Sequence, residues 1–276
     1  MTCTRRNNCG AAPQCRALIQ SQLLKPCALH YPAGNGTKKQ PPAMTDPIIR
    51  RVTTLDLPVR PFSWPFAVER RQDIDAHFAA RQAEKPQMWN GRVLLGRKPA
   101  FSGDGFSAEA FEVSFASFLA WRDWGFPDKD VFDGFGMGAL RCSDGAFALG
   151  EMGPQNATAG RVYFPSGTPD PSDVRDGRLD ISGSVAREME EETGLTPADY
   201  RADPDWDVVV MGSIIAMMRI LDVALTGEAL RARIEANLAR QQHPELSRIH
   251  LVRGPTDLTS AMPRFVTAWL ERQFSI

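Results

Sequence analysis

The sequence predicts an α/β protein of the α+β type, in which a mixed sheet carries helices on both faces and an N-terminal α/β extension precedes the main domain. Three observations support this class. Segments typical of strands and helices alternate without a regular βαβ period, which favours a mixed sheet over a parallel one. The composition, with 43% apolar and 24% charged residues, is that of an ordinary globular protein. A length of 276 residues is sufficient for one or two domains.

The predicted extension begins with a proline-rich extended segment and continues into a helix over 68–84, which Pro86 ends. The pair Asn90-Gly91 predicts a turn after this helix. The other predicted elements are strands over 92–95 and 110–115 and a helix over 116–124. The extension therefore combines helices with short strands.

The predicted main domain opens with a hairpin whose turn is Ser143-Asp144-Gly145, a strong turn signal between two apolar runs. A helix over 185–192 is ended by Gly194 at a C-cap position. A long loop rich in Gly, Pro and Asp precedes that helix. The remaining predicted elements are strands over 136–142, 146–151, 161–164, 207–211, 214–223 and 249–252, and helices over 228–241 and 262–274.

Residues 1–45 are predicted to be a leader outside the fold. They contain six basic residues and no acidic residue, and they show no sustained apolar period. Two interpretations are open: a basic targeting arm, or non-native sequence ahead of a start at Met44. Under either interpretation we expect the leader to be disordered. The rest of the chain divides into the extension, 46–130, and the main domain, 131–276.

Composition also limits the class of function. No stretch approaches the roughly 20 apolar residues of a membrane-spanning helix, so a transmembrane protein is excluded. Outside the leader, 26 basic and 33 acidic residues give a charge of −7, which is not the basic footprint of a duplex nucleic-acid binder. Only Cys142 lies outside the leader. The four leader cysteines form no C-x-x-C pair, so a zinc-binding site in the leader is disfavoured. A single cysteine in the body fits a reducing compartment, so we expect a cytoplasmic location.

One acidic segment, 187–195, points to chemistry. At ~100° per residue, Glu188, Glu191 and Glu192 fall within an arc of about 100° on one helix face, and Glu190 points away from it. Carboxylates crowded in this way repel each other by roughly 0.2–0.5 kcal/mol per pair, even on a solvated helix face. A bound divalent cation reverses the sign of that interaction, and hard oxygen ligands suit Mg²⁺ or Mn²⁺.

The full string R-E-M-E-E-E-T-G-L at 187–195 resembles the second half of the Nudix hydrolase motif, G-x5-E-x7-R-E-U-x-E-E-x-G-U, where U is a bulky apolar residue. All seven specified positions of that half are met. The first half departs from the motif. Gly167 is the better match for the motif glycine and Asp173 for the first glutamate, which makes the loop before Arg187 six residues longer than in the family. Asp180 is the less favoured alternative for that acid.

This resemblance implies a Nudix-like α/β/α sandwich and hydrolysis of a diphosphate linked to another group. It implies that Glu188, Glu191 and Glu192 are ligands of Mg²⁺ or Mn²⁺ and that one of them also accepts a proton from the attacking water. Arg187 lies four residues before Glu191, a spacing that allows it to orient that carboxylate. Residues 131–276 are thus identified as a catalytic domain.

Many members of the family add an acidic ligand from a later loop, and Glu245 is the candidate here, with Glu235 as the alternative.

The segment 86–91 is similar to the N-terminal extension of a Nudix branch that contains UDP-sugar diphosphatases. A nucleotide sugar is therefore the favoured nucleoside diphosphate derivative. ADP-ribose or a dinucleotide is the alternative substrate, and a nucleotide-sensing domain without catalysis is the alternative of another class. We expect no nucleic-acid or membrane partner; family members are often homodimers, and the sequence carries no dimer-specific signal.

Overall fold

The computed structural model describes residues 46–86, 88–154, 156 and 158–275. The leader, 1–45, lies outside these residues, so its predicted disorder stays a prediction. Within the described residues, the predicted extension, 46–130, contains β1 (Ile48–Val52), β2 (Thr54–Asp56), α1 (Pro65–Glu69), α2 (Arg71–Glu84), β3 (Arg92–Ser102), β4 (Gly105–Ser114) and α3 (Phe115–Asp123).

The predicted main domain, 131–276, supplies the rest of the sheet and three further helices. Its elements are β5 (Val131–Arg141), β6 (Phe147–Met152), β7 (Val162–Tyr163), β8 (Ser166–Gly167), a 3₁₀ turn (Pro171–Asp173), β9 (Val174–Arg175), β10 (Arg178–Leu179), α4 (Ile181–Thr193), β11 (Arg201–Ala202), β12 (Trp206–Met211), β13 (Ile214–Asp222), α5 (Gly227–Leu238), β14 (Leu246–Val252), a 3₁₀ turn (Pro255–Asp257) and α6 (Arg264–Phe274). Among the described residues, no helix is both long and apolar enough to cross a membrane.

Strand β5 is the centre of a mixed sheet. One edge pairs in parallel with β13, from Asp133 opposite Ile214 to Arg141 opposite Asp222. The other edge is shared by three antiparallel neighbours, with β3 near its start, β8 in its middle and β6 at its end. Strands β12 and β1 follow beyond β13, and β4 and β2 follow beyond β3. This arrangement brings β8 and the loop after it to the middle of the sheet.

Helices cover both faces of the sheet at β5. Successive side chains of a strand point to opposite faces of the sheet, so position 135 and position 136 face opposite sides. A Cβ at Gly136 would lie 2.6 Å from a methyl group of Val185, which shows that α4 packs closely on the glycine face. On the other face Phe135 contacts Phe265 of α6 edge to face, with ring centroids 6.0 Å apart. The predicted mixed sheet with helices on both faces is confirmed.

Several elements differ from the prediction. Strand β1 was not predicted; its residues are mostly exposed, and it exists because it pairs with β12, far along the chain. The predicted helix 68–84 begins earlier and is interrupted at Arg70, where α1 meets α2. The loop predicted ahead of α4 contains three two-residue strands, β8 to β10. Buried side chains from the extension and the main domain form one hydrophobic cluster.

Asn90 and Gly91 support the start of α3. The Asn90 side-chain carbonyl accepts a hydrogen bond from the Ala116 N–H at 2.8 Å, and the Gly91 carbonyl accepts one from the Phe115 N–H at 2.8 Å. These bonds satisfy two of the N–H groups that the first turn of a helix leaves unpaired. Trp89, whose ring lies over Gly91, is 54% exposed.

Replacing Asn90 by Ala is therefore expected to lower the free energy of unfolding by about 1 kcal/mol, the usual cost of removing a side-chain cap. Urea denaturation of the two proteins measures the difference. Asn90→Asp is the matched control, because it keeps an oxygen acceptor and should retain most of the stability. Equal losses in the two variants would contradict the capping role.

Candidate active site

Helix α4 is fixed at both ends by its own residues. The carboxylate of Asp180, the N-cap, accepts a hydrogen bond from the Gly183 N–H at 2.9 Å. Gly194 ends the helix with a φ of 73°, in the left-handed region where a residue with a Cβ is strained. Between these ends, Val185 and Met189 are buried against the glycine face of β5. The helix is thereby held in one rotation about its axis.

The acidic residues of α4 differ in exposure. Glu188 and Glu192 are only 5% and 1% exposed, Glu191 is half-buried, and Glu190 is exposed. Burying a carboxylate is costly unless a cation or hydrogen bonds replace its hydration. The three residues predicted to share a face are thus the ones that the fold withdraws from solvent.

Arg187 is the cation at the centre of this cluster. Its Nη2 lies 3.1 and 3.0 Å from the two carboxylate oxygens of Asp173. Its Nη1 lies 2.8 Å from Glu188 Oε1 and 3.4 Å from Glu191 Oε2. A single guanidinium therefore joins three carboxylates, one from the loop and two from the helix, and the spacing-based contact between Arg187 and Glu191 is present.

The charges in this cluster shift the protonation equilibria of its members. Burial by itself would lower the pKa of the Arg187 guanidinium, but the carboxylates of Glu188, Asp173 and Glu191 together raise that pKa above its ordinary value. Burial raises the pKa of Asp173, and the charge of Arg187 opposes that rise. Arg187 consequently stays protonated and provides a permanent positive charge.

Gly167 provides the space in which the Glu188 carboxylate lies. It sits in β8, opposite Gly136 of β5. A Cβ at position 167 would lie 2.5 Å from Cδ of Glu188, which is closer than two carbon atoms can approach. The residue singled out as the motif glycine is therefore one whose lack of a Cβ permits this conformation of the Glu188 side chain.

Six residues of the loop before α4 fold back on themselves as a hairpin. Strands β9 and β10 flank Asp176 and Gly177, which have φ angles of 50° and 72°. Positive φ at both central positions is what a type I′ hairpin turn requires. At the base of the hairpin, the Asp180 N–H donates a hydrogen bond to the Asp173 carbonyl at 2.9 Å. Residues 174–179 are thus looped out between Asp173 and Asp180.

This looped-out hairpin accounts for the unusual length of the loop. When 174–179 are set aside, five residues separate Gly167 from Asp173 and seven separate Asp173 from Arg187, as in the motif. Of the two candidate acids, Asp173 contacts Arg187 and Asp180 caps the helix. The sequence interpretation missed the hairpin, although an Asp-Gly pair is a recognised hairpin signal.

The candidates for an additional acidic ligand lie in different settings. Glu245 belongs to the loop before β14, where its carbonyl accepts hydrogen bonds from the Gly153 N–H at 2.7 Å and the Asn156 side chain at 2.6 Å. Glu235 of α5 accepts a hydrogen bond from the Ile249 N–H at 3.2 Å through its carboxylate. Glu235 therefore has a structural partner in β14, and Glu245 stays a prediction from the sequence.

The donor set has the chemistry of a hard-metal site. Mg²⁺ and Mn²⁺ prefer carboxylate oxygens, and α4 presents Glu188, Glu191 and Glu192 on one side. In the side-chain conformations of the described residues, no three His, Cys, Asp or Glu groups are arranged so that they could hold a metal ion. The residue types fit such a cation, while in this structure Arg187 supplies the positive charge among them.

Comparison with known proteins gives weak similarities only. No family model matches the chain, and no curated protein matches it. RenU, a Nudix hydrolase from M. smegmatis, is 15% identical, with a TM-score of 0.35, over 52% of this chain and 86% of its own. The MutT protein from Methanosarcina mazei Go1 is 19% identical, with a TM-score of 0.31, over 51% of this chain and 91% of its own.

A third similar chain comes from the complex between the C-terminal domain of mouse MUTYH and human PCNA. It is 12% identical, with a TM-score of 0.32, over 51% of this chain and 88% of its own. Similarities at this level do not establish the family or the function of this chain.

Proposed function

We propose that this chain is a Nudix-type hydrolase that uses Mg²⁺ or Mn²⁺ to split the diphosphate bond of a nucleoside diphosphate derivative. The observation that carries the proposal is the cluster at Arg187, which joins Asp173 to the helix glutamates beside Gly167. The motif calls for these residues, with a glutamate where this chain has Asp173, and the looped-out residues 174–179 bring the spacing into agreement with it.

In this proposal the protein supplies oxygen ligands, orientation and a proton acceptor. Glu188, Glu191 and Glu192 would hold the cation, which when bound neutralises charge that develops on the phosphate oxygens. Arg187 keeps Glu188 and Glu191 in place through the contacts described above, and Asp173 keeps Arg187 in place. One of the glutamates takes the proton of the attacking water. Glu245 stays the candidate for an additional ligand.

The favoured substrate is a nucleotide sugar of the UDP-sugar type, with ADP-ribose or a dinucleotide as the alternative. This preference depends on the likeness of 86–91 to one branch of the family. Asn90 caps α3 in the structure, so Asn90 and Gly91 have a structural role that needs no substrate. The choice among substrates is therefore a matter for experiment.

The second candidate function is a nucleotide-sensing domain without catalysis. One observation favours it: Arg187 already forms ion pairs with Glu188 and Glu191. Against it, the chain keeps Glu188, Glu191 and Glu192 together, and a binding domain has no need of all three.

Metal removal tests the proposal. Phosphate release, coupled to a phosphatase, would be measured with the full chain on UDP-sugars, ADP-sugars, ADP-ribose and NADH, in Mg²⁺ and in EDTA. We expect turnover that falls to background in EDTA and returns when Mg²⁺ is added in excess, because the carboxylates alone cannot neutralise phosphate charge. Turnover that EDTA leaves unchanged would contradict the mechanism. Thermal stabilisation by a nucleotide without any turnover would favour the sensing domain.

A further inference from the structure

Residues 57–60 form backbone hydrogen bonds with the hairpin β9–β10. We refer to this segment as the strap. The Leu179 N–H donates a hydrogen bond to the Leu57 carbonyl at 2.9 Å. The Val59 N–H donates one to the Gly177 carbonyl at 2.8 Å. The strap therefore lies beside β10 as an additional strand of the hairpin.

The opposite edge of the strap is fixed to the core. The Pro58 carbonyl accepts a hydrogen bond from the Ala110 N–H at 2.9 Å, and the Arg60 N–H donates one to the Ala110 carbonyl at 2.8 Å. Ala110 belongs to β4 and is buried. The backbone groups alternate, so that Pro58 and Arg60 bond to β4 while Val59 bonds to the hairpin. The strap consequently connects a rigid strand to the tip of the hairpin.

The hairpin in turn leads directly to the acidic cluster. Asp173 precedes β9, and Asp180, bonded to the Asp173 carbonyl, follows β10. The Asp173 carboxylate holds Arg187 through both of its oxygens, and Arg187 contacts Glu188 at 2.8 Å. A series of direct contacts therefore runs from the strap through the hairpin, Asp173 and Arg187 to Glu188.

We propose that the strap positions the acidic cluster through the hairpin, with Val59 and Leu57 as positioning residues; the proposal deepens the proposed function and rests on it. Six extra residues give a loop more conformations and would leave Asp173 less well placed. A two-stranded hairpin is only marginally stable by itself in water. The hydrogen bonds from the strap supply the support that the isolated hairpin lacks, and so fix the residue that holds Arg187.

The proposal is tested by Val59→Pro in the full chain. Proline removes the N–H that bonds to Gly177 and keeps the Pro58 carbonyl and the Arg60 N–H, the two groups that bond to Ala110. Val59→Ala is the matched control, since it shortens the side chain and keeps the N–H. One backbone hydrogen bond is lost, so we expect kcat to fall about threefold to tenfold in Val59→Pro, with KM changed less than about twofold. The control should behave as the wild type, and equal effects in both variants would overturn the proposal.

A second background isolates the path through the hairpin. Deleting residues 174–179 joins Asp173 to Asp180, which are already hydrogen bonded. In this shortened chain Val59→Pro should change kcat less than about twofold, because its hydrogen-bond partner is gone. The same fold-change in both backgrounds would overturn the proposal.

If the shortened chain does not fold, a charge exchange at the ion pair between Asp56 and Arg178 serves as the second test. Asp56→Arg should lower kcat, and adding Arg178→Asp to this variant should restore kcat. Failure of the combined variant to restore kcat would also overturn the proposal.

A readout without metal or substrate separates this proposal from the proposed function. Hydrogen exchange of the peptide covering 173–180 reports whether the hairpin base opens. We expect faster exchange there in Val59→Pro and not in Val59→Ala. Faster exchange in a chain without phosphate release would support the positioning of Asp173 and reject the hydrolase. Unchanged exchange in a chain that hydrolyses its substrate would reject the positioning and keep the hydrolase.

Discussion

Glu191→Gln is expected to lower turnover by about 10²- to 10⁴-fold while the protein stays folded. Gln has the size of Glu but no negative charge, so it is a poor ligand for a hard cation and cannot accept a proton from water. Its contact with Arg187, 3.4 Å long, is also weakened. The Glu191 side chain is 25% exposed, so the change leaves no large buried polar group without hydration. Phosphate release at saturating Mg²⁺ measures the loss.

Glu190→Gln is the control for this variant. Glu190 is the adjacent residue of the same helix, but it is exposed and lies outside the acidic arc. We expect its turnover to stay within about twofold of the wild type, since only a solvated charge is removed. Near-normal turnover in Glu191→Gln would remove Glu191 from the mechanism. Equal losses in the two variants would indicate an effect on the helix and not on the reaction.

Asp133→Asn is expected to stabilise the protein at pH 8 and to have little effect at low pH. Asp133 lies at the start of β5, is fully buried, and has no hydrogen-bond partner for either carboxylate oxygen among the described residues. Burial raises the pKa of this carboxyl to about 7 from an ordinary value of 3.8, and the charge of Arg122 offsets only part of the rise. An ionised Asp133 is therefore unfavourable in the folded protein.

The direction of the pH dependence follows from these two pKa values. Below the unfolded value both states hold the proton, and the ionisation of Asp133 costs no stability. Between the two values the unfolded chain releases the proton and the folded protein keeps it, so the free energy of unfolding falls as pH rises. Above the folded pKa the loss is complete and reaches about 4 kcal/mol at about 1.4 kcal/mol per pKa unit, an upper limit. Asn at this position does not titrate and avoids the loss.

Urea denaturation at pH 5 and pH 8 measures this effect as the difference between the variant and the wild type. We expect the free energy of unfolding of Asp133→Asn to exceed that of the wild type by more at pH 8 than at pH 5. Asp130→Asn, three residues earlier and exposed, is the control and should show no such growth. An advantage that is the same at both pH values would mean that Asp133 does not titrate in this range.

Features that depend on neighbours in the chain were predictable from the sequence. The 3.6-residue period places Glu188, Glu191 and Glu192 on one side of a helix, and the end of that helix at Gly194 follows from its conformational freedom. The hairpin between β5 and β6 follows from the Asp144-Gly145 turn. The fold class follows from the order of such local elements, which is why the mixed sheet with helices on both faces could be anticipated.

Features that depend on distant residues were settled by the tertiary structure alone. The motif spacing favours Asp173 over Asp180, but the contact of Asp173 with Arg187 depends on a hairpin that loops out between the two acids. The support of that hairpin by Val59, and the pairing of β1 with β12, join segments more than a hundred residues apart. No local period or turn signal encodes such contacts, because their energy comes from surfaces that meet only after the chain has folded.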